Sequence, residues 1–386
     1  MRYVKPHYYD EFQCIAGKCP DTCCAGWQIV IDDDTLEKYE KYVTDEAGNA
    51  ESFAVRLNNS IDWEEGCFLQ KGRRCAMLND RNLCDLITAK GEGYLCDTCN
   101  RYPRHIEEFD GIREFSLSLS CPVAAEMMLK MIEQTRYVVE EDEEPDPLED
   151  EFEDFDFMLF TQLEDAREVI FKIIQDREKP MDKRMAILME MARQMQDCID
   201  EDRLFDMQDV VNAFAKQEDA VGKVLTGEDR FGKIKDGFEI YTRLERLREE
   251  WTEVLEGTWR ELYQGGYESY KSVYDEFYHF IEERGWSKGT EGQQSWEIFT
   301  EQILTFFIYT YFCGAVYDEC IYSKVAMSVM SVCYIREFCM YTWFVQGKNL
   351  SFDECIRVAY RYAREIEHSD LNLNDLEQWL MDRFQN

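Results

Sequence analysis

Ten of the sixteen cysteines lie in the first third of this 386-residue chain, many of them only a few positions apart. Thiolates bind soft or borderline metals, and short spacings let neighbouring ligands reach one metal without closing a long loop. Four cysteines suffice for a tetrahedral zinc site or a four-iron cluster, so these thiols could serve two sites, or one site beside structural thiols. The candidate metal ligands are Cys14, Cys19, Cys23, Cys24, Cys67, Cys75, Cys84, Cys96, Cys99 and Cys121.

Spacing alone leaves the use of these thiols open. The first residues lack an apolar stretch and a small-residue cleavage site, so we expect no signal peptide and a cytoplasmic protein. Because disulfides are rare in the cytoplasm, this location disfavours a disulfide framework. Buried free thiols do not explain the adjacent pair Cys23–Cys24 beside other short spacings. Structural zinc suits Cys96-x2-Cys99, to which His105 could add a nitrogen ligand, and an iron–sulfur cluster suits the same thiols.

The distribution of cysteines and charge divides the chain into two parts. No lysine or arginine occurs between Tyr137 and Ala166, and acidic residues at this density repel one another and disfavour compaction. We therefore predict a cysteine-rich metal (iron–sulfur) domain over 1–139, an acidic linker over 140–150 and a helical domain over 151–386. Six further cysteines are scattered through apolar sequence of the second part and are expected to be structural: Cys198, Cys313, Cys320, Cys333, Cys339 and Cys355.

The predicted fold class is mainly α, with a small, loop-rich N-terminal domain of α+β type. Residues alternate as in short strands over Trp27–Asp32 and Phe115–Leu119, and metal ligation would stabilise the loops between them. In the second part apolar residues recur every three to four positions, and Ser351 with Glu354 forms a capping box. The predicted helices cover about 160–173, a stretch after Pro180, 203–225, 237–262, 267–284, 294–317, 320–346, 351–368 and a last short helix capped by Asn374.

The charge of the chain excludes several classes of partner. Its formal net charge is −37. Nucleic-acid affinity comes mainly from lysine and arginine on phosphates, so we expect no nucleic-acid binding, and an anionic membrane surface would be repelled. The longest uncharged run, Gln302–Tyr317, is shorter than the ~20 apolar residues that span a bilayer. The charge favours solubility and cationic partners, including lysine-bearing protein surfaces.

The cysteine pattern and its flanking residues resemble the flagellin lysine-N-methylase family. The resemblance is carried by Phe12-Gln13-Cys14, Cys19, Thr22-Cys23-Cys24-Ala25-Gly26-Trp27, Ile29-Val30-Ile31-Asp32, Cys67-Phe68-Leu69, Gly72, Cys75, Leu95-Cys96-x2-Cys99-x2-Tyr102-Pro103-Arg104 and Leu117-Ser118-Leu119-Ser120-Cys121-Pro122. In the second part it is carried by residues 307–335. It spans most of the chain, apart from the acidic linker and about 200–290.

The resemblance implies methyl transfer from S-adenosylmethionine to lysine side chains of flagellin, with a cysteine-bound [4Fe-4S] cluster at the active centre. The chain departs from the usual radical cluster pattern, because Gly26 stands three positions after Cys23, and it lacks a glycine-rich nucleotide fingerprint. We expect a cluster iron to take the amino and carboxylate groups of the donor. Arg101 or Arg104 could pair with that carboxylate in bidentate fashion.

A lysine acceptor must lose its proton before it can attack a methyl group, because its unperturbed pKa is about 10.4. Asp318 is the candidate catalytic residue, since a carboxylate in an apolar stretch is costly unless it is used or paired. Tyr309, Tyr311 and Tyr322 lie near one helical face and are expected to pack. The leading prediction is methylation of lysines in flagellin or another lysine-bearing protein.

Two alternatives are not enzymes. One is an iron–sulfur or zinc protein whose acidic helical domain docks a basic protein partner. The other is an interaction scaffold stabilised by zinc. Zinc could be bound instead of the cluster or beside it.

Overall fold

A computed structural model describes residues 1–46, 49, 52–143, 145–146, 152, 155–216, 222–286 and 294–384. The strands are β1 Arg2–Pro6, β2 Ile29–Val30, β3 Ile61–Asp62, β4 Cys67–Phe68, β5 Gln70–Lys71, β6 Arg74–Cys75, β7 Arg104–Phe109, β8 Ile112–Leu117 and β9 Tyr137–Glu141. The helices of the first part are α1 Asp33–Asp45, α2 Phe53–Asn58, α3 Asp85–Lys90, α4 Asp97–Arg101 and α5 Pro122–Lys130. Those of the second part are α6 Phe157–Ile174, α7 Met181–Asp200, α8 Met207–Ala215, α9 Gly227–Arg243, α10 Glu249–Thr258, α11 Tyr267–Glu283, α12 Trp296–Tyr311, α13 Ala315–Asp318, α14 Ile321–Val345, α15 Phe352–Glu367 and α16 Asp370–Phe384.

Three small sheets lie in the N-terminal part. The largest has the order β7-β8-β1-β9, in which β1 runs parallel to β8 and antiparallel to β9. Parallel neighbours require a long crossover connection. Here residues 7–111 form it, and they include nine of the ten N-terminal cysteines. We call the part from Cys14 to Cys99 the cysteine-rich segment. A second sheet has the order β2-β4-β3, and β5 pairs with β6 as a hairpin. Of the predicted linker, Glu140 and Glu141 belong to β9, while 144 and 147–150 lie outside the described residues.

The cysteine-rich segment has a small core of its own. The buried side chains that form it include Ile29, Tyr39, Phe68, Cys75 and Cys96. A single carboxylate ties two of its helices together, because Asp32 caps α1 by accepting from Thr35 N at 2.9 Å and also accepts from Asp97 N at 2.8 Å. These two hydrogen bonds fix the start of α4, and therefore Cys96, against the start of α1.

Helix α14 is the centre of the helical part. It is apolar on all sides, as expected of a helix surrounded by others, and it packs against α7, α10, α12, α15 and α16. The buried Glu337 accepts from Arg230 Nη2 at 2.6 Å and from Tyr263 Oη at 2.7 Å. These bonds satisfy a charge that would otherwise be costly inside the core.

The four-stranded sheet packs on the helices and shares their core. Phe109 and Leu117 are buried in one cluster with residues of α6, α12 and α14. Arg167 of α6 donates to Glu114 of β8 at 2.6 Å, and both side chains are buried. The predicted domain over 1–139 thus contributes to both cores: Ile29 to Cys96 form the small one, while Tyr8 to Phe12 and Phe109 to Leu129 belong to the large one. The predicted domain boundaries stay a prediction.

The predicted fold class is confirmed: the chain is mainly α, and its N-terminal part combines short strands with short helices. The capping box also forms, since Ser351 Oγ accepts from Glu354 N while the Glu354 carboxylate accepts from Ser351 N. Because Pro180 has no N–H to donate, it is well placed as the N-cap of α7. Among the described helices none is long and apolar enough to cross a membrane.

The helix expected over 203–225 is shorter, since α8 covers Met207–Ala215 and residues 217–221 lie outside the described residues. Two further predicted helices differ from the structure. The helix expected over 237–262 is interrupted after Arg243, because side chains of the last two helices bind the backbone there: Leu247 N donates to Glu365 at 3.0 Å and Glu245 N to Asn372 at 2.7 Å. The final helix begins at Asp370 rather than near Asn374. The first difference arises from contacts between segments far apart in sequence, whereas the start of the last helix has a local cap, since Asn372 N donates to Ser369 Oγ at 3.3 Å.

The ion pair between sheet and helices gives a stability prediction. Replacing Arg167 by Met leaves the buried carboxylate of Glu114 without its partner, and we expect the free energy of unfolding to fall by about 3–5 kcal/mol. The matched control is Arg193→Met, which breaks an ion pair whose arginine is 46% exposed, and we expect a change of about 0.5 kcal/mol or less. Urea unfolding of both variants measures this, and equal losses would contradict the docking of the sheet on α6.

Candidate functional site

Six cysteines line one cavity of about 200 Å³ at the junction of the cysteine-rich segment and the helices. We call it the thiol cavity, and its cysteines are Cys14, Cys19, Cys23, Cys24, Cys84 and Cys121. All sixteen cysteines fall within the described residues and are free thiols. The structure thus brings together residues that are 107 positions apart in the sequence, from Cys14 to Cys121.

A second set of thiols adjoins the thiol cavity. The thiols of Cys96 and Cys99 interact, and this interaction lowers the pKa of Cys96 and raises that of Cys99. Cys99 also interacts with Cys24 and Cys75. The Sγ atoms of Cys23 and Cys24 are 3.9 Å apart, so this adjacent pair joins the two sets.

Three of these cysteines stand immediately before helices. Cys84 precedes α3, Cys96 precedes α4 and Cys121 precedes α5. Free N–H groups at a helix start favour a thiolate. Burial acts in the opposite direction and raises the pKa of Cys121 to about 11 despite bonds from the backbone of α5. Burial raises the pKa of Cys84 as well, so without a cation Cys84 and Cys121 hold their protons, and a bound metal would displace those protons.

Two of the predicted metal ligands lie elsewhere. Cys67 is buried in β4, paired with Val30 on one side and Asp62 on the other, and it does not line the thiol cavity. His105 lies on β7, where a ring nitrogen is 2.6 Å from Glu107 Oε1. A metal-binding role for either residue stays a prediction.

The donor set fits a sulfur-bound metal in type and number. Nine of the ten N-terminal cysteines belong to the thiol cavity or its adjoining set, and both zinc and a four-iron cluster require four ligands. Within the described residues, however, no three His, Cys, Asp or Glu side chains are already grouped as a metal site. The choice of metal and of ligands therefore stays a prediction.

A fully buried arginine of α15 holds the loops of the thiol cavity. Arg364 is 0% exposed, and its Nη1 lies 2.7 Å from Asp21 Oδ1. Its Nη2 donates to Asp21 O at 2.8 Å, and its Nε donates to Ser120 O at 2.7 Å. Because Asp21 lies between Cys19 and Cys23, and Ser120 precedes Cys121, one guanidinium fixes both loops against the helices.

A second arginine reaches the same loop. Arg248, just before α10, donates to Asp21 Oδ1 at 2.9 Å and to Ala25 O at 2.7 Å. The neighbouring Gly26 has φ +91°, and a Cβ there would lie 3.0 Å from Arg248 Nε. Glycine is therefore needed at this position for both its backbone conformation and the close approach of the arginine.

Beside the thiol cavity, two cavities of about 800 and 570 Å³ adjoin one another between the cysteine-rich segment and the helices. We call them together the junction cleft. They share the lining residues Trp27, Thr98, Glu367, His368 and Asp370. The indole of Trp27 stacks on His368 at 4.8 Å between ring centroids, and its Nε1 donates to Cys23 O at 2.7 Å. The wall of the junction cleft is thus bonded directly to the loop that carries Cys19, Cys23 and Cys24, which we call the thiol loop.

Two titratable groups in this cleft have strongly shifted pKa values. Burial raises the pKa of Glu367 to about 7. Burial, together with the charges of Arg364 and Arg248, lowers the pKa of His368 to about 3. At neutral pH His368 is therefore an uncharged aromatic ring, and Glu367 is poised between its two protonation states.

The predicted donor-binding arginines lie on the rim of this cleft. Arg101 donates to Asp97 at 2.7 Å and is largely exposed. The guanidinium of Arg104 lies 5.2 Å from the ring centroid of Phe12. Both residues line the smaller cavity, so a role in binding the donor stays a prediction for either of them.

The predicted catalytic residue Asp318 lies at the end of α13, where its carboxylate is 2.7 Å from Lys324 Nζ. It is 39% exposed and does not line the thiol cavity or the junction cleft. The ion pair accounts for a carboxylate here without catalysis, and a catalytic role stays a prediction. Tyr309 and Tyr322 pack against other rings, as expected, whereas Tyr311 donates to Glu367 at 3.1 Å.

Sequence reasoning missed Arg364, Glu367 and His368. A signal was present in the periodicity of α15, because Arg364 occupies a position four residues after Tyr360 on the stripe that faces the core. A charged residue at a core position of an amphipathic helix indicates a buried partner. The partner Asp21 has no comparable signal, since it lies in a loop.

Residues 167–386 match the family described as FliB lysine N-methylase C-terminal domain. The chain belongs to this family. The matched region begins within α6 and contains Arg248, Arg364, Glu367 and His368, whereas the ten N-terminal cysteines and Trp27 precede it. The family match therefore covers the helical side of the thiol cavity and of the junction cleft.

Curated relatives match over a shorter length. The Flagellar biosynthetic protein FliU of Salmonella muenchen is 28% identical over 128 residues, which is 33% of this chain and 76% of that protein. The proteins named Lysine-N-methylase of Salmonella typhimurium and Salmonella choleraesuis are also 28% identical over 128 residues, or 32% of each of those chains. The match thus covers about a third of each lysine-N-methylase. No solved structure matches this chain.

The two classes of cysteine give a metal-binding prediction. We expect Cys23→Ser or Cys96→Ser to reduce bound metal sharply, because serine is a poor ligand for soft metals. The control Cys339→Ser, in the core of the helical part, should leave the metal content unchanged and affect only packing. Iron, sulfide and zinc analysis of protein purified without oxygen measures this. Equal loss of metal from both classes would contradict the assignment of the ligands to the N-terminal part.

The arginine that holds the loops gives a second prediction. Arg364→Met leaves the carbonyls of Asp21 and Ser120 without their buried donor and removes one of the two arginines bonded to the Asp21 carboxylate, and we expect a loss of about 1–3 kcal/mol in stability together with a lower metal content. Arg361→Met is the matched control, because Arg361 is 45% exposed and lies 3.8 Å from the same carboxylate. We expect that control to change stability by about 0.5 kcal/mol or less. Thermal unfolding and metal analysis distinguish the two variants, and similar behaviour would refute this role of Arg364.

Proposed function

We propose that this chain is a protein lysine N-methyltransferase that acts on flagellin, with S-adenosylmethionine as methyl donor and a [4Fe-4S] cluster at the thiol cavity. The family match over 167–386 is the observation that carries the proposal. The reaction class comes from relatives named Lysine-N-methylase, and the flagellar context from a relative named as a flagellar biosynthetic protein.

The geometry supports a reaction at the junction of the two parts of the chain. The thiol cavity and the junction cleft have the loop from Cys23 to Trp27 in common, and both are held by residues of the family-matched helices. A cluster bound at the thiols would offer an iron position to the amino and carboxylate groups of the donor. Arg364 and Arg248 fix the loop that holds the thiols, and Arg101 and Arg104 line the rim on which the donor's carboxylate could be paired.

The cleft can also shield the reacting groups from water on one side. Trp27, Tyr102 and His368 form a continuous aromatic wall, with ring centroids 4.8–5.8 Å apart. A low-dielectric wall lowers the pKa of an enclosed ammonium, and a lysine must be neutral to attack a methyl group.

A direct test uses the full chain purified without oxygen, S-adenosylmethionine, and flagellin from the same organism. We expect one or more methyl groups on flagellin lysines by mass spectrometry, and a brown protein with acid-labile sulfide near the iron content. The Cys23→Ser variant should lose transfer while still binding flagellin, because its binding surface remains.

Two outcomes would contradict the proposal. Zinc without sulfide would reject the cluster and favour a zinc-stabilised scaffold. Flagellin binding without any methyl transfer by iron-loaded protein would favour the non-enzymatic docking function. Salt helps to separate these cases, because screening at physiological ionic strength limits surface attraction to about 8 Å and should weaken association more than the transfer step.

A further inference from the structure

We propose that the junction cleft binds the side chain of the acceptor lysine and that Glu367, at its floor, takes the proton from the lysine ammonium. This inference rests on the proposed function and assigns the acceptor site within it. It stands on the shape of the cleft, its aromatic wall and the surroundings of one carboxylate.

The first argument is position. Glu367 and His368 line both cavities of the cleft, and its rim includes the exposed residue Leu371. The same wall includes Trp27, which stacks on His368 and whose indole N–H is bonded to Cys23 O. A long side chain that enters from the rim therefore reaches Glu367 beside the loop that carries the thiols.

The second argument is the wall itself. Trp27 stacks on His368, and Tyr102 meets both rings within 5.8 Å. His368 is neutral because burial lowers the pKa of its ring to about 3. Uncharged aromatic faces attract an ammonium group and also pack against the apolar stem of a lysine.

The third argument is the environment of the carboxylate. Tyr311 donates to Oε1 of Glu367 at 3.1 Å, while Ser118 Oγ and Ser120 N donate to Oε2 at 3.1 and 3.2 Å. All three donors are neutral groups, so they orient the carboxylate and leave its charge without a bonded cation. A lysine ammonium supplies the charge that this arrangement lacks.

The charged and titratable groups around Glu367 are consistent with this role. On β7, His105 faces it, and Glu107, which lines the same cleft, lies 2.6 Å from the His105 ring nitrogen. From α12 Tyr311 faces it, and at the start of α16 Asp370 lines the same cleft. Burial raises the pKa of Glu367 to about 7, so above this pH it is ionised and can accept a proton.

The proton step is balanced within the site. One N–H bond of the ammonium breaks, its electron pair stays on Nζ, and an O–H bond forms on Glu367. The neutral amine is then the nucleophile for the methyl group of the donor named in the proposed function. The proton leaves Glu367 for solvent through the open rim.

The test begins with binding to the full chain in its metal-loaded form, without any methyl donor. The probes are Nα-acetyl-lysine methylamide and the uncharged Nα-acetyl-norleucine methylamide, compared by calorimetry at pH 8. We expect the lysine probe to bind about tenfold tighter or more, because its ammonium meets a partly buried carboxylate. This preference should fade as the pH falls through 7 and Glu367 becomes protonated. Equal binding of the two probes to the wild type would overturn the proposal.

Variants locate the effect. Glu367→Gln, which keeps the shape of the side chain, should abolish the preference for lysine and slow methyl transfer about 100-fold or more. The matched control is Glu365→Gln on the same helix, where burial also raises the pKa to about 7 but the carboxylate accepts from Leu247 N outside the shared lining of the cleft. That control should retain the preference for lysine.

A third variant tests the hydrogen-bond geometry. The bond from Tyr311 lowers the pKa of Glu367, so Tyr311→Phe should shift the onset of lysine binding to higher pH. An unchanged onset in this variant, or an unchanged lysine preference in folded Glu367→Gln protein, would refute the role of Glu367. If the wild type binds lysine through Glu367 yet transfers no methyl group, the proposed function fails and the acceptor site stands. If Glu367→Gln transfers methyl groups at the wild-type rate, the assignment of the base fails and the proposed function stands.

Discussion

The contact between Arg364 and Asp21 is the constraint on which the functional region depends. A guanidinium with no exposed surface is stable inside a protein only when its donors are used, and here it binds one carboxylate and the carbonyls of Asp21 and Ser120. Arg248 also binds the first cysteine loop, at Asp21 and Ala25, but Arg364 is bonded to both loops. Through this side chain their positions follow that of α15.

The same helix also lines the junction cleft, so the thiol cavity and the cleft are both positioned by α15. Glu367 and His368 follow Arg364 by three and four residues, which places all three near one face of the last turn of α15. Trp27, four residues after Cys23, stacks on His368 and is bonded to the Cys23 carbonyl. A displacement of the thiol loop would therefore move the wall of the cleft as well. This coupling would hold the geometry of the proposed acceptor site fixed, although half of that site is built from loops.

Local pattern predicted the helical part well and the junction poorly. The period of apolar residues and the capping box at Ser351 are properties of contiguous sequence, and the corresponding helices are present. The break after Arg243 depends on Glu365 and Asn372, more than a hundred residues away, so no local signal reveals it. The clustering of cysteines predicted that the thiols would meet, since spacing limits how far they can separate. Glu367 lies in a cleft, whereas Asp318 pairs with Lys324 outside it. This difference depends on contacts of the folded chain, so the sequence does not reveal it.

Recognition of a lysine by this chain would involve two kinds of electrostatic interaction. The net charge of −37 produces an attraction for basic surfaces that acts over a distance and is weakened by salt. That attraction cannot distinguish one lysine from another, because it is spread over the whole surface. Discrimination requires contact at close range with a shielded group, and Glu367 is held in such a place by neutral donors beside a neutral aromatic wall. Surface charge would therefore govern how often a substrate arrives, and the cleft would govern which lysine side chain loses its proton.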